Sequence, residues 1–123
     1  MDDARTPLVI VDAANVVGSV PDGWWRDRRG AAERLRDRLA ADGVPGHDGA
    51  VEIVLVVEGA ARGVQSVPGV RVESAPGSGD DHIVDLVART TDHPRLVVTA
   101  DRELRRRVTE LGAEVTGPRA VRG

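Results

Sequence analysis

The feature that most constrains the fold is a set of strongly apolar, β-branched segments that recur along a short chain. Three of them, residues 8–12, 51–59 and 95–101, are almost continuously apolar rather than alternating. Such segments are typical of strands buried on both faces, as in a parallel sheet covered by helices. Residues 70–75 predict one more strand, and residues 113–117 predict a weaker fifth one.

Helical patterns separate the predicted strands. Apolar residues recur every three or four positions over 30–42, 80–90 and 102–111, and Gly43 and Gly112 follow the first and third of these segments. Strands that alternate with helices predict an α/β fold with a central parallel sheet and flanking helices, joined by right-handed crossovers. The 123 residues fit one domain over 1–123.

Charge and composition narrow the classes of function. There is no cysteine, which excludes disulfides, thiolate metal sites and thiol catalysis. The net charge of -3 excludes a generally basic nucleic-acid binder, so a phosphate-binding surface must be local or a metal must supply positive charge. The N-terminal residues are polar and acidic, and no run approaches the ~18 apolar residues of a membrane span. We therefore expect a cytoplasmic protein without a membrane segment.

Acidic residues stand where the predicted strands end. Asp12 ends the first strand, Glu58 the second and Asp101 the fourth, while Asp80 and Asp81 open the helix after the third. In a parallel sheet the carboxyl ends of the strands share one edge, and ligands bind beyond that edge. We therefore expect carboxylates from four segments to face one cleft.

The chemistry of these side chains predicts a metal site. At about 100° per residue, Asp80 lies near the centre of the apolar face of its helix and Asp81 is rotated toward the rim. Gathered carboxylates raise each other's pKa, and a cation relieves the repulsion. Oxygen ligands without His or Cys suit Mg²⁺ or Mn²⁺. The alternative is structural, since Asp80 or Asp101 could cap a helix and Glu58 could belong to a turn.

Four segments, in order, resemble the NYN branch of the PIN-like nuclease superfamily, and especially its YacP-like members. They are LVIVDAANVVGS, VLVVEGA, GSGDDHIVDLVA and LVVTADREL, and together they extend over nearly the whole chain. The resemblance implies a three-layer PIN-like (Rossmann-like) α/β fold. It also implies a metal-dependent ribonuclease that uses Mg²⁺ or Mn²⁺. It makes Asp12, Asp80 and Asp101 the catalytic metal ligands, with Glu58 or Asp81 assisting. It selects Asp80 because the family pattern has an Asp three residues before an Ile.

Further residues are candidates for binding RNA. The resemblance implies that Asn15 orients a ligand or contacts phosphate, and that Thr99 lies beside the metal or helps to bind substrate. Trp25 could stack on a base, and Arg102 and Arg62 could contact phosphate. The alternative for the tryptophans is that at least one, Trp24 or Trp25, packs the first helix against the sheet or fills a dimer contact.

Departures from the family pattern keep other functions open. Ala13 and Ala14 stand where the YacP-like pattern usually has Gly and an aromatic residue, and Glu58 stands where it usually has Asp. A non-catalytic RNA- or protein-binding module is therefore one alternative, and a metal-dependent nucleotide phosphohydrolase is another. The expected partner is RNA, most simply single-stranded, and a homodimer is left open. His82 is a weak candidate for assisting a metal, and His47 and His93 are expected at the surface.

Overall fold

The computed structural model describes residues 6–45 and 50–122, so His47 lies outside the described residues. Its centre is a five-stranded sheet in the order β3-β2-β1-β4-β5, in which all neighbouring strands are parallel. The strands are β1 Leu8–Asp12, β2 Glu52–Val57, β3 Val70–Ser74, β4 Arg95–Val98 and β5 Glu114–Thr116. The predicted α/β fold with a central parallel sheet is thereby confirmed.

Helices cover both faces of the sheet. They are α1 Ala13–Gly18, α2 Arg28–Asp42, α3 Gly79–Ala88, α4 Arg102–Glu110 and α5 Arg119–Arg122, with 3₁₀ turns at Trp24–Arg26 and Gly59–Ala61. The apolar periodicity predicts α2, α3 and α4 to within two residues at each end. It does not predict α1, because six residues are too few to display a helical period.

The core consists of two apolar layers, one on each side of the sheet. Val9 and Val11 of β1 pack with α1 and α2, whereas Leu8 and Ile10 pack with α3 and α4. Alternate residues of a strand point to opposite faces. Because both faces of β1 are covered, every position from Leu8 to Val11 must be apolar, which explains the continuous run in the sequence.

The strand order places a topological switch point at the carboxyl ends of β1 and β4. From β1 the chain proceeds outward through β2 to β3, and it then returns through α3 to β4 on the other side of β1. In parallel α/β sheets the crevice at such a point is the usual ligand site. Within the described ranges, none of the helices is both long and apolar enough to span a membrane.

Candidate active site at the carboxyl edge of the sheet

Asp12 is a buried carboxylate at the switch point. Asp12 is only 4% exposed, although it lies at the end of β1. Oδ2 accepts a hydrogen bond from Thr99 Oγ1 at 2.9 Å, and Oδ1 accepts one from the Asn15 backbone N–H at 3.4 Å. Burial raises the pKa of Asp12 to about 6, and the charges of Asp80 and Glu58 add to that rise while the two hydrogen bonds oppose it. Asp12 therefore caps α1 and is also a desolvated acid.

Thr99 couples Asp12 to Asp101. Its side chain is fully buried, and its hydroxyl donates to Asp12 while accepting from the Asp101 backbone N–H at 3.1 Å. Asp101 is the N-cap of α4, where its Oδ1 accepts from the Leu104 backbone N–H at 2.9 Å. The cap interpretation of Asp101 is therefore correct for one carboxylate oxygen. Since Thr99 is enclosed, it positions the two acids and has no surface with which to touch substrate.

Asn15 ties the start of α1 to the segment after β4. Its side-chain Oδ1 accepts from the Ala100 backbone N–H at 2.8 Å. This contact joins residues 85 positions apart, in the segments that follow β1 and β4 at the switch point. Asn15 thus holds the backbone next to Asp101.

Glu58 fixes the start of α3 against the end of β2. Its Oε1 accepts from the Gly79 backbone N–H at 2.8 Å. A Cβ on residue 79 would collide with this oxygen, so the close approach requires glycine. Strand alternation explains the placement, since Glu58 continues the Val54–Val56 face of β2, which packs with α3. Asp12 continues the Leu8–Ile10 face of β1 on the same side.

Asp80 faces the other acids, and Asp81 does not. The N-cap of α3 is Ser78, whose hydroxyl accepts from the Asp81 backbone N–H at 3.1 Å, so the cap interpretation of Asp80 is wrong. Asp80 is half-buried, and burial raises its pKa, with further contributions from the charges of Asp101 and Glu58. Asp81 is more exposed and forms an ion pair with Arg107 at 3.0 Å. The cluster therefore comprises Asp12, Glu58, Asp80 and Asp101, with Asp81 at its rim.

The spacing of the cluster limits how it could hold a metal. Over residues 6–45 and 50–122, no three acidic or histidine side chains are close enough to bind one ion directly. The charges of Asp80 and Glu58 nevertheless contribute to the raised pKa of Asp12, and those of Asp101 and Glu58 contribute to the raised pKa of Asp80, so the acids share one electrostatic environment. Mg²⁺ commonly keeps several waters and uses only one or two carboxylates plus substrate phosphate. The donor set therefore fits a hydrated hard cation better than a dehydrated one.

The basic candidates lie at the margin of the cluster. Arg62 donates to the Gly59 and Pro76 carbonyls at 3.3 and 3.2 Å. It therefore joins the turn after Glu58 to the loop that precedes α3. Arg102 is exposed in the first turn of α4, directly after Asp101. Arg105, which the sequence did not single out for the site, donates from Nε to the Thr99 carbonyl at 2.7 Å. Nothing in its local pattern distinguishes it from a solvated arginine.

The two tryptophans have different surroundings. Trp25 is 54% exposed, and the Arg26 guanidinium lies 5.8 Å from its ring centroid. Trp24 is half-buried beside Gly18 of α1, and meets the Trp25 ring edge-on at 6.0 Å. Trp24 therefore packs beside α1, a helix that the sequence did not predict, while Trp25 is left at the surface.

The histidines stand apart from the acidic cluster. His82 pairs through Nε2 with Glu73 of β3 at 2.7 Å, so its ring is committed to a carboxylate outside the cluster. His93 bonds through Nδ1 to the Thr6 carbonyl, in the loop before β4. Neither observation favours His82 as a partner of a metal at the cluster.

These features define a class of protein: a three-layer α/β domain with acidic side chains at the switch point of a parallel sheet. Two crystal structures of Rae1 (YacP) from Bacillus subtilis share this fold. One has a TM-score of 0.69 at 19% identity, covering 98% of this chain and 71% of that chain. A mutant of the same protein has a TM-score of 0.70 at 18% identity, and the match covers 94% of this chain and 72% of that chain. No family model matches the sequence, and no curated protein matches it significantly.

Proposed function

We propose that this protein is a metal-dependent ribonuclease that hydrolyses RNA phosphodiester bonds at the acidic cluster. The observation that carries the proposal is the buried Asp12, whose pKa of about 6 reflects desolvation and the neighbouring charges of Asp80 and Glu58. Perturbed carboxylates in a cleft are typical of functional sites. The Rae1 (YacP) fold and the resemblance of the sequence to YacP-like proteins both support a nuclease.

In this proposal the acids hold Mg²⁺ or Mn²⁺. Asp12, Asp80 and Asp101 are the ligands, directly or through water, and Glu58 or Asp81 assists. When bound, the cation neutralises the phosphate charge and activates water for hydrolysis. The need for a cation follows from electrostatics, because four carboxylates without one would repel an RNA phosphate.

The surrounding side chains have supporting roles. Thr99 and Asn15 hold Asp12 and the Asp101 segment in register, and Asn15 also offers its amide nitrogen to phosphate. Arg102 and Arg62, at the margin of the cluster, contact neighbouring phosphates. Trp25 is exposed enough to stack on a base outside the cleft. We further propose that the substrate is single-stranded and that the protein acts in the cytoplasm.

A cleavage assay tests this function. End-labelled RNAs of varied sequence are incubated with the protein and Mn²⁺, with EDTA in place of Mn²⁺, and with the Asp12→Asn variant. Asp37→Asn, an exposed acid on α2, is the matched control. We expect cleavage only with Mn²⁺, its loss in Asp12→Asn and its retention in Asp37→Asn. Equal cleavage in every arm would identify a contaminating nuclease and contradict the proposal.

A non-catalytic RNA-binding module is the second candidate. It is favoured by the absence, among the described residues, of three acids close enough to bind an ion directly. Binding of RNA without Mn²⁺-dependent cleavage, for RNAs of every sequence tried, would select this candidate over the nuclease.

A further inference from the structure

A small apolar pocket opens beside the acidic cluster, between α1, α2 and the turn at Gly59–Ala61. We call it the α1–α2 pocket. Its cavity is about 70 Å³, with a floor of small side chains that includes Ala13, Ala14 and Ala32. The indole of Trp24 forms one side, and Glu58 and Arg28 stand at its margin. No sequence pattern indicated this pocket, because its walls come from four separate segments.

Glu58 belongs to both the pocket and the acidic cluster. Its charge acts on Asp12 and Asp80, and the residue also lines the pocket. One oxygen, Oε1, accepts a hydrogen bond from the Gly79 backbone N–H. The other, Oε2, accepts no hydrogen bond from any residue that the structure describes. Glu58 therefore connects the pocket to the acidic cluster and keeps one carboxylate oxygen available to a ligand.

The walls of the pocket suit a flat, partly apolar ring. Single-stranded RNA is recognised by stacking its bases on aromatic side chains and arginine guanidinium planes. Both kinds of surface are present, since the Arg28 guanidinium lies 5.1 Å from the centroid of the Trp24 ring. Arg28 also adds positive charge next to an acidic site. This combination of stacking surface and local cation favours a nucleotide over an uncharged apolar ligand.

The acceptor at the margin selects among bases. A carboxylate accepts a hydrogen bond from the N4 amino group of cytosine. Uracil has the same ring but presents the O4 carbonyl at that position, which would face the Glu58 carboxylate without a proton between them. A site built to pair with a donor discriminates strongly against a ligand that lacks it, because its own polar group is left unpaired.

We propose that the α1–α2 pocket binds one unpaired base of the RNA next to the scissile phosphate, and that Glu58 makes it prefer cytosine to uracil. The proposal deepens the proposed function and rests on it for the identity of the substrate as RNA. It assigns Glu58 a role in specificity in addition to its place in the cluster. Trp24, rather than the exposed Trp25, is the stacking residue of this pocket.

Intrinsic fluorescence tests the pocket without relying on cleavage. Trp24 and Trp25 are the only tryptophans, so Trp25→Phe leaves Trp24 as the sole indole reporter. Cytidine and uridine, which carry no phosphate, are titrated into this protein in EDTA while Trp24 emission is followed. We expect cytidine to quench at a concentration about fivefold or more below that of uridine. Equal quenching by the two nucleosides would overturn the proposal.

Two variants in the Trp25→Phe background locate the effect. Glu58→Gln supplies an amide in place of the carboxylate, and should bring the cytidine-to-uridine ratio close to one. Ala14→Leu fills the pocket from an exposed position, and should abolish quenching by both nucleosides. Ala40→Leu, at an exposed position on α2 outside the pocket, should leave quenching unchanged. Unchanged quenching in Ala14→Leu would place the nucleoside elsewhere and overturn the proposal.

The outcomes separate this inference from the proposed function. Cytidine-selective quenching without RNA cleavage would support the pocket and reassign it to a non-catalytic RNA-binding module. Mn²⁺-dependent cleavage with no quenching by either nucleoside would uphold the nuclease and overturn the pocket alone.

Discussion

At the scale of single residues, Asp12 is a carboxylate that the fold shields from water. The side chain is 4% exposed, and its two hydrogen bonds come from Thr99 and from the Asn15 backbone. These bonds favour the charged form, yet burial outweighs them and leaves the pKa at about 6 instead of 3.8. The carboxylate is retained at a cost in stability, as expected for a group that serves function.

Replacing Asp12 should therefore stabilise the metal-free protein. The folded state binds the proton more tightly than the unfolded state, so the contribution of Asp12 to stability is present below pH 3.8 and is lost as the pH rises through about 6. Asp12→Asn should raise the free energy of unfolding at about pH 7 by about 1–3 kcal/mol, with little change at about pH 4. Urea unfolding at both pH values measures this. Asp80→Asn should also raise the free energy of unfolding at about pH 7, by less than Asp12→Asn does, because Asp80 is less buried.

Metal and control arms complete this experiment. Mn²⁺ should raise the melting temperature of the parent protein, because a cation that binds only the folded state stabilises that state. It should not raise the melting temperature of Asp12→Asn, which lacks one of the proposed ligands. Asp37→Asn should behave like the parent in both respects. A lower stability of Asp12→Asn at neutral pH would show that the hydrogen bonds of Asp12 matter more than its desolvation.

At the scale of elements, the acidic cluster depends on how closely α3 approaches β2. Glu58 at the end of β2 accepts a hydrogen bond from Gly79, the first residue of α3. This contact sets the position of Asp80, one residue further along the helix. Because residue 79 has no side chain, the backbone of α3 can lie against a carboxylate that also faces Asp12. A single glycine therefore positions two acids of the cluster.

Gly79→Ala should disrupt this arrangement. The added methyl would collide with Glu58 Oε1, so either Glu58 or the first turn of α3 must move. Loss of the hydrogen bond and local strain predict a decrease of about 1–3 kcal/mol in the free energy of unfolding. Stabilisation by Mn²⁺ should weaken as well. Calorimetry with and without Mn²⁺ measures both effects.

Gly77→Ala is the matched control for Gly79→Ala. A Cβ at residue 77 would meet nothing within 4 Å, and this glycine lies two residues before Gly79, in the loop that precedes α3. We expect its stability and Mn²⁺ response to equal those of the parent. If Gly79→Ala also equalled the parent, the Glu58 contact would not position α3.

At the scale of the whole molecule, the positive charge that is not paired with acids is local, which bears on the proposed binding of RNA. The net charge is -3, and many arginines are paired with acids, as Arg106 is with Glu103 and Glu110. Arg102, Arg62 and Arg28 stand around the cleft. In the proposed function these three arginines contact the phosphates of a flexible strand next to the acidic cluster. They do not form the extended basic track that would grip a duplex.

The protein should therefore act on single-stranded RNA and spare the same sequence in a duplex. With about three phosphate contacts, the logarithm of the binding constant should fall with the logarithm of salt concentration with a slope of about 2 in magnitude. Fluorescence anisotropy with Asp12→Asn and labelled RNA measures the slope without cleavage. A much steeper slope, or equal cleavage of duplex RNA, would require a larger basic surface than the described residues provide.

The sequence by itself determined the five strands, the parallel sheet, and the placement of acids at its carboxyl edge. These features are encoded locally, because a strand that is buried on both faces must be continuously apolar. The end of such a strand is the first position at which a polar side chain is tolerated. The helical period also placed Asp80 nearer the sheet than Asp81, which agrees with their exposures.

Only the tertiary structure decided how the acids are held. The bond from Thr99 to Asp12 joins residues 87 positions apart, and that from Gly79 to Glu58 joins residues 21 apart. Trp24 lines a pocket together with segments that are distant in the chain. No local pattern encodes such contacts, because each depends on how closely separate elements pack. The physical reason is that burial, which raises the pKa of Asp12, is a property of everything packed around a side chain.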